Sequence, residues 1–404
     1  MDFKNKLTID DIDIRGKHVF VRVDYNVPLD ENGIIQDDRR IRATLPTLRK
    51  IINDGGLPII ASHLGRPKGK YVSGLSMEPV ARRLEQLLGR PVTFLPDSSG
   101  EIVLRARKEA QTGDVILLEN LRFHKEEERN DPDFAKQLAG YADLYINDAF
   151  GACHRAHASI SAIQDYVEVA AAGYLLKKEM EMLGKLLVDP EKPFVAIIGG
   201  AKISSKIGII EHLMDKTDKI LIGGAMSYTF FKSLGIDVGD SLVEDDKLDV
   251  ARHILEKAEA HKGIGGRIFL PIDAVVTDDI SDKGVRKVVN YEEIPHNMGG
   301  VDIGPNTIER YKKEIKGCET IVINGPLGVF EIDQFSRGTR EILTAIANHV
   351  ENGGIGIIGG GDSAAAARKF GLADKMTHVS TGGGASLKLM EGKPLPGIEA
   401  LTDK

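Results

Sequence analysis

The chain has 404 residues, of which 42% are hydrophobic and 28% charged, and its formal net charge is −7. A single core stops growing at roughly 250–300 residues, so two domains of about 190 residues each are expected. The acidic balance argues against a nucleic-acid partner, and no run of about 18 apolar residues is available to span a bilayer.

Residues 1–20 carry charges throughout (Asp2, Lys4, Lys6, Asp10 and Asp11), so no signal peptide is expected and a cytoplasmic location is. Apolar runs of strand length follow at 18–23, 57–62, 92–95, 115–118 and 144–146, with a helical pattern at 77–88. A helical pattern at 175–187 is stopped by Asp189-Pro190-Glu191-Lys192-Pro193. Strand-like runs resume at 194–198, 219–222, 267–270, 320–323 and 356–358, with a shorter one at 377–380 and a helical pattern at 250–260. Short runs rich in Val and Ile, separated by helices, predict βαβ units whose strands are buried on both faces of parallel sheets. The expected fold class is α/β, with two Rossmann-like domains, parallel sheets and a hinge helix joining them. The tail 392–398 holds Pro394 and Pro396 and is expected as an extended strap rather than a helix.

Ligands of open parallel sheets bind outside the carboxyl ends of the strands. There the first half places Asp24-Tyr25-Asn26, His63-Leu64-Gly65-Arg66, Glu119 and Asn147-Asp148, with Arg40, Arg122 and Arg155 on further loops. Arginine forks pair bidentately with phosphate or carboxylate and stay charged at any working pH. Arg40, Arg66, Arg122 and Arg155, with His63 and His157, read as the seat of a small phosphorylated acid. Asp24 and Asn26 read as acceptors for its hydroxyl.

The second half offers glycines and lysines instead. The run 194–198 feeds Gly199-Gly200-Ala201-Lys202, and Ile203, Ile207, Ile210 and Met214 then read as the buried face of a helix. On that helix Lys202 and Lys206 would share one face, where like charges repel unless an anion lies between them, so the pair reads either as a phosphate clamp or as two solvated lysines. Gly359-Gly360-Gly361-Asp362-Ser363 follows the run 356–358 and precedes four alanines. Such glycines let backbone approach a phosphate, and the free N–H groups of a helix start bind it. Asp362 or Ser363 reads as a helix cap, or Asp362 as a hard-oxygen ligand for magnesium beside a nucleotide phosphate. Asn324-Gly325-Pro326-Leu327-Gly328-Val329-Phe330-Glu331 ends another run with a turn and a carboxylate suited to a ribose hydroxyl.

Two strings mislead. Gly354-Ile355-Gly356-Ile357-Ile358-Gly359 fits a dinucleotide fingerprint, but its glycines lie before and inside the strand rather than after it. His154 and His157 beside Cys153 lack the partner pair that a zinc site requires. No P-loop pattern exists, and Cys153 and Cys318 read as free buried thiols. Cations in one half and phosphate-cradling backbone in the other point to an enzyme moving a phosphoryl group between two anions. A NAD-dependent dehydrogenase on the same architecture and a two-lobed, non-catalytic anion-binding protein are the alternatives.

The chain resembles the phosphoglycerate kinase family over essentially its full length. The match runs through Arg22-Val23-Asp24-Tyr25-Asn26-Val27-Pro28, Ser62-His63-Leu64-Gly65-Arg66-Pro67, Leu118-Glu119-Asn120-Leu121-Arg122 and Asn147-Asp148-Ala149-Phe150-Gly151. It continues through His154-Arg155-Ala156-His157, Gly199-Gly200-Ala201-Lys202, the segment 324–331, Gly360-Gly361-Asp362-Ser363 and Ser380-Thr381-Gly382-Gly383-Gly384-Ala385. The resemblance implies a 3-phosphoglycerate domain over 1–173, a hinge helix over 174–189, a nucleotide domain over 190–386 and a segment 387–404 returning to the first domain. It implies that Asp24, Tyr25, Asn26, Arg40, His63, Leu64, Gly65, Arg66, Arg122 and Arg155 hold 3-phosphoglycerate or 1,3-bisphosphoglycerate. Lys202, Lys206, Gly304, Asn324, Pro326, Glu331, Gly360, Gly361, Asp362 and Ser363 would hold ATP or ADP, with Mg2+ carried by the nucleotide at Asp362. Arg40, Lys202 and Gly361 would stabilise the migrating group, in a monomer with no nucleic-acid or membrane partner. Tyr25, Ser205, Ile323 and Ser363 depart from the commonest family forms, and none of the four removes a charged catalytic group.

Overall fold

The computed structural model describes residues 5–260 and 267–404. The chain forms two units, one of Met1–Glu181 with Pro394–Lys404 and one of Met182–Lys393. Each is Rossmann-like and built on a six-stranded sheet. No helix among the described residues is long and apolar enough to cross a membrane.

The strands of the first unit are β1 (His18–Val23), β2 (Leu57–Ala61), β3 (Thr93–Phe94), β4 (Ile116–Leu117), β5 (Leu144–Asp148) and β6 (Ala170–Ala172). They lie parallel in the order β3-β4-β2-β1-β5-β6, with Val19 between Pro58 and Leu144. Val19 to Val23 are all buried, as expected of a central strand covered on both faces. The chain places β2 beside β1, sets β3 at that edge with β4 inserted between β3 and β2, and then returns to add β5 and β6 on the other side. Strand order thus reverses between β1 and β5, and a ligand crevice opens at their carboxyl ends. Helix Arg39–Asn53 packs against this core through Ile41, Leu45, Leu48 and Ile52, the spacing of one helical face.

The second unit holds β7 (Phe194–Ile198), β8 (Lys219–Ile222), β9 (Arg267–Phe269), β10 (Asp273–Thr277), β11 (Arg286–Asn290), β12 (Gly299–Ile303), β13 (Thr320–Asn324), β14 (Ile355–Gly359) and β15 (His378–Val379). Its parallel sheet has the order β15-β14-β13-β7-β8-β9. Ile197, Leu221, Ile321, Ile323 and Ile358 lie in its core. The reversal falls between β7 and β13, where Asn324 stands opposite Ile198. Both strands then turn into glycines.

Three elements differ from the sequence expectation. β10, β11 and β12 form a separate antiparallel sheet in the order β11-β10-β12. β11 is mostly exposed, and β12 contains two glycines and the buried Asp302, so neither shows the apolar run of a doubly covered strand. The three alanines of β6 carry no strand propensity and become a strand by pairing with Tyr145–Asn147. The tail expected as a strap contains a helical turn, Pro396–Glu399, which Pro396 starts. Proline suits that first position because its missing N–H would find no partner there anyway.

That tail packs on the first unit. Lys6 Nζ donates to Glu399 O at 2.8 Å and Leu401 O at 2.7 Å, and Asn147 Nδ2 donates to Gly397 O at 3.0 Å. The Leu7 N–H reaches Thr402 O at 2.8 Å, while the Thr402 N–H reaches Ala170 O at 2.9 Å. Cys153 and Cys318 are free and buried, as read from the sequence.

Candidate active site

In the first unit, β1 ends by delivering Asp24 to the carboxyl edge of the sheet. Arg40, at the start of helix Arg39–Asn53, brings Nη1 to 2.8 Å from Asp24 Oδ2. Asn26 accepts the Gly65 N–H at 2.9 Å, and Arg122 Nη1 donates to Gly65 O at 2.8 Å. The loop after β2 is therefore spanned from both sides. Asn120 completes the clamp: its amide donates to Leu64 O at 2.7 Å and its oxygen accepts the Arg122 N–H at 3.1 Å. Arg66 is exposed, and the exposed Arg155 donates from Nε to His154 Nε2 at 3.1 Å.

Leu64 and Gly65 spend their backbone groups on Asn120, Asn26 and Arg122, which makes them scaffold for that loop. Tyr25 points inward. It is fully buried, and its hydroxyl is hydrogen-bonded to Thr44 Oγ1 at 2.7 Å, which leaves only its backbone at the site.

Sequence reasoning missed the layer beneath. Arg22 lies inside β1 with no exposure, donates Nε to Ser159 Oγ at 2.7 Å and approaches His63 Nδ1 at 3.3 Å through Nη2. The buried Glu127 accepts both the Ser159 N–H at 2.9 Å and the Ser159 hydroxyl at 2.6 Å. An arginine in the middle of His-Val-Phe-Val-Arg-Val was the available signal, because a buried charge needs partners.

The electrostatics of this cluster would suit an anion. Burial, then Arg22, Arg122 and Arg40, drive the His63 pKa well below its ordinary value. Burial, then Arg22, Arg122 and Arg155, push His157 down to about 3. Both imidazoles are thus neutral at pH 7, so their 3.9 Å approaches to Asp24 and Glu127 are not ion pairs. Arg122 is also lowered, by burial first and Arg22 second. Arg122 Nε, 3.3 Å from Glu128 Oε1, and His157 Nδ1 are buried without a hydrogen bond. Crowded cations with spare donors favour a multiply charged anion.

In the second unit, the turns after β7 and β13 interlock. A Cβ on Gly325 would lie 2.1 Å from Gly199 O, and the Gly200 N–H donates to Pro326 O at 2.8 Å. Gly325 has φ +93°, the left-handed region that a side chain resists. Ser363 Oγ accepts the Gly325 N–H at 2.6 Å. Asn324 Nδ2 donates to Gly359 O at 3.0 Å, and Asn324 Oδ1 accepts from the buried Lys206 ammonium. Burial lowers the Lys206 pKa, opposed by Asp362 and then Glu391.

Two expectations are corrected here. Lys202 and Lys206 do not share a helix face, because a 3-10 turn Ile203–Ser205 separates them and the helix starts only at Ile207. Lys202 is exposed while Lys206 is buried. Neither Asp362 nor Ser363 caps helix Gly361–Lys369. Its cap position is Gly360 at φ +93°, with Ser363 turned to Gly325 instead.

The start of that helix lies beside another: a Cβ on Gly383, which opens helix Gly383–Met390, would be 3.5 Å from the Gly361 nitrogen. Two positive helix ends with exposed Gly361 and Asp362 have the electrostatics that would suit a phosphate. Gly304 begins helix Pro305–Ile315 and donates its N–H to Asp273 O at 3.0 Å. Glu331 is exposed, and its carbonyl accepts from Lys369 Nζ at 2.9 Å.

A family model described as phosphoglycerate kinase matches residues 9–393. Proteins named phosphoglycerate kinase from Chlorobaculum tepidum and Thermosipho africanus are each 54% identical to this chain, over 398 and 400 residues. The alignments cover 98% and 99% of this chain and 100% and 98% of theirs. The structure of phosphoglycerate kinase from Coxiella burnetii is similar at a TM-score of 0.88 and 41% identity, over 98% of both chains. That from Pyrococcus horikoshii OT3 gives 0.81 at 31% identity, again over 98% of both.

Proposed function

The chain belongs to the phosphoglycerate kinase family, and on that premise we propose that it transfers the acyl phosphate of 1,3-bisphosphoglycerate to ADP and also runs the reverse. The enzyme is a phosphotransferase of glycolysis. The observation that carries the residue-level reading is the pairing of chemistries: an arginine and histidine cluster at the strand ends of one unit, a glycine and lysine cradle at those of the other.

Arg122, Arg155 and Arg66 bind the phosphate of the phosphorylated acid, and Asp24 and Asn26 orient its hydroxyl. Lys206, Asn324 and Ser363 fix the backbone that receives the nucleotide phosphates, and Glu331 takes its ribose. Asp362, exposed in the first turn of its helix, suits Mg2+, which keeps several waters and needs only one or two carboxylates beside phosphates. Bound there, the ion would offset charge on the nucleotide phosphates.

In the forward direction a terminal oxygen of ADP attacks the acyl phosphorus. The bond from phosphorus to the acyl oxygen breaks, and the carboxylate of 3-phosphoglycerate leaves. No side-chain nucleophile is needed, and catalysis rests on position and charge. Arg40, Lys202 and the Gly361 N–H stabilise the oxygens of the migrating group. Each unit holds one substrate, so closure about the helix Tyr174–Val188 brings the two together and excludes water. The enzyme works as a cytoplasmic monomer. The dehydrogenase alternative loses its fingerprint, since Gly356 and Gly359 lie within β14.

The test is ATP-dependent acyl-phosphate formation from 3-phosphoglycerate, coupled to glyceraldehyde-phosphate dehydrogenase and NADH oxidation. Turnover in the parent, with loss in Lys202→Ala, supports the reading. A folded parent that binds both ligands without turnover would make the chain a binding protein.

A further inference from the structure

We propose that Thr47 and Asp148 form a positioning joint that ties the helix bearing Arg40 to the first turn of helix Tyr174–Val188, so that an anion held at Arg40 acts on that helix. The proposal rests on the assignment of Arg40 to the phosphorylated-acid site. Arg40 and Thr47 lie on one helix, Arg39–Asn53, about two turns apart. The Thr47 hydroxyl is buried and accepts the Tyr174 N–H at 2.8 Å. Asp148 ends β5, has no exposure, and accepts the Leu176 N–H through Oδ1 at 3.1 Å.

Helix Tyr174–Val188 is therefore started by side chains from β5 and from the Arg40 helix. These satisfy N–H groups that a helix start leaves without partners. Gly173 permits the fit, since a Cβ there would fall 2.3 Å from Asp148 Oδ1. The Thr47 hydroxyl also flanks the carboxyl, yet Asp148 Oδ2 has no hydrogen-bond partner. A plain capping residue would not bury a carboxyl with one oxygen unsatisfied, because an uncharged amide or hydroxyl caps at lower cost. Half-satisfied buried groups of this kind mark places that do more than hold a fold.

The chain supplies a direction for the effect. The boundary between the two compact units falls inside this helix, after Glu181. Its far end belongs to the unit that carries the lysine and glycine cradle. Arg40 rests against Asp24 without ligand, and an anion that takes the guanidinium loads the helix on which Thr47 sits.

The experiment compares Asp148→Ala, which removes the acceptor of the Leu176 N–H that asparagine would keep, Thr47→Val and Thr47→Ser with the full-length parent, measuring kcat and the separate Kd values for 3-phosphoglycerate and Mg-ATP. The joint predicts kcat lower by about tenfold or more in Asp148→Ala and Thr47→Val, with each Kd within about threefold. Thr47→Ser should turn over like the parent, and the double variant Thr47→Val/Asp148→Ala no worse than its slower single. A kcat within about threefold of the parent in both variants overturns the proposal. So does a loss confined to 3-phosphoglycerate affinity, which would show that the pair only props Arg40. Should Asp148→Ala fail to fold, the Val and Ser replacements at Thr47 decide between these outcomes. An inactive parent would defeat the kinase reading and this one with it; active variants beside an active parent defeat the joint alone.

Discussion

Arg40 Nη1 and Asp24 Oδ2 lie 2.8 Å apart, so the guanidinium assigned to the migrating phosphoryl group rests on a carboxylate when no substrate is bound. Arg40→Ala should lower kcat by on the order of 10²–10³-fold, the usual cost of deleting one preorganised charge-stabilising group. Steady-state kinetics in the coupled assay check this. Turnover within about threefold of the parent would remove Arg40 from the chemistry.

Lys202 and Lys206 should separate cleanly when each is replaced by alanine. Lys206 is buried and donates to Asn324 Oδ1, so its removal strands a buried acceptor and costs about 1–3 kcal/mol of stability. Lys202 is exposed, so Lys202→Ala should leave Tm unchanged while turnover collapses. Thermal unfolding and kinetics on both variants decide it, and equal Tm losses would contradict the difference in burial.

Stability should fall on the acid side because His63 and His157 are held neutral. In the unfolded chain they titrate near about 6.5, whereas His157 in the fold titrates near about 3. Protons then favour the unfolded chain, so the contribution is complete above about 6.5 and is lost as pH falls through this window. Denaturant unfolding at neutral pH and about pH 5 should show the loss, and His157→Gln should flatten part of the slope.

Asp148 has the opposite sign. Burial raises its carboxyl to about 7, so the fold favours the protonated form and loses stability as pH rises from about 4 to about 7. Asp148→Asn should therefore be more stable than the parent at about pH 8 and show no gain near pH 4. Paired denaturant melts at the two pH values measure it; a variant less stable at both would contradict the raised carboxyl.

Two glycines predict contrasting results. Gly325→Ala forces a Cβ to within 2.1 Å of Gly199 O at φ +93°, and should cost roughly 2 kcal/mol or more along with ATP affinity. A Cβ at Gly361 meets nothing within 4 Å, so Gly361→Ala should keep the parent's Tm and report only on how closely phosphate approaches that backbone. Calorimetric ATP titrations beside melting curves distinguish the two.

What the sequence showed, and what it hid, follows from how each residue earns its place. Strands covered on both faces, such as Phe194–Ile198, announce themselves as unbroken apolar runs rich in Val and Ile. The exposed β11 and glycine-bearing β12 have no such pattern, and β6 exists only through its neighbour. The charged residues at strand ends were legible because parallel sheets present ligands there. The spacing of Lys202 and Lys206 suggested a helix, but the chain uses a 3-10 turn to send one inward and one outward. Arg22 alone of the Arg22, Ser159 and Glu127 network left a sequence signal, because its partners are far from it in sequence and meet it only in space.

The return of Pro394–Lys404 to the first unit has a consequence for biosynthesis. A ribosome that has released every residue up to Lys393 has made the whole second unit, yet the first still lacks the donors and acceptors that Gly397, Leu401 and Thr402 bring to Asn147, Lys6 and Ala170. The part of the chain made first is thus the part completed last.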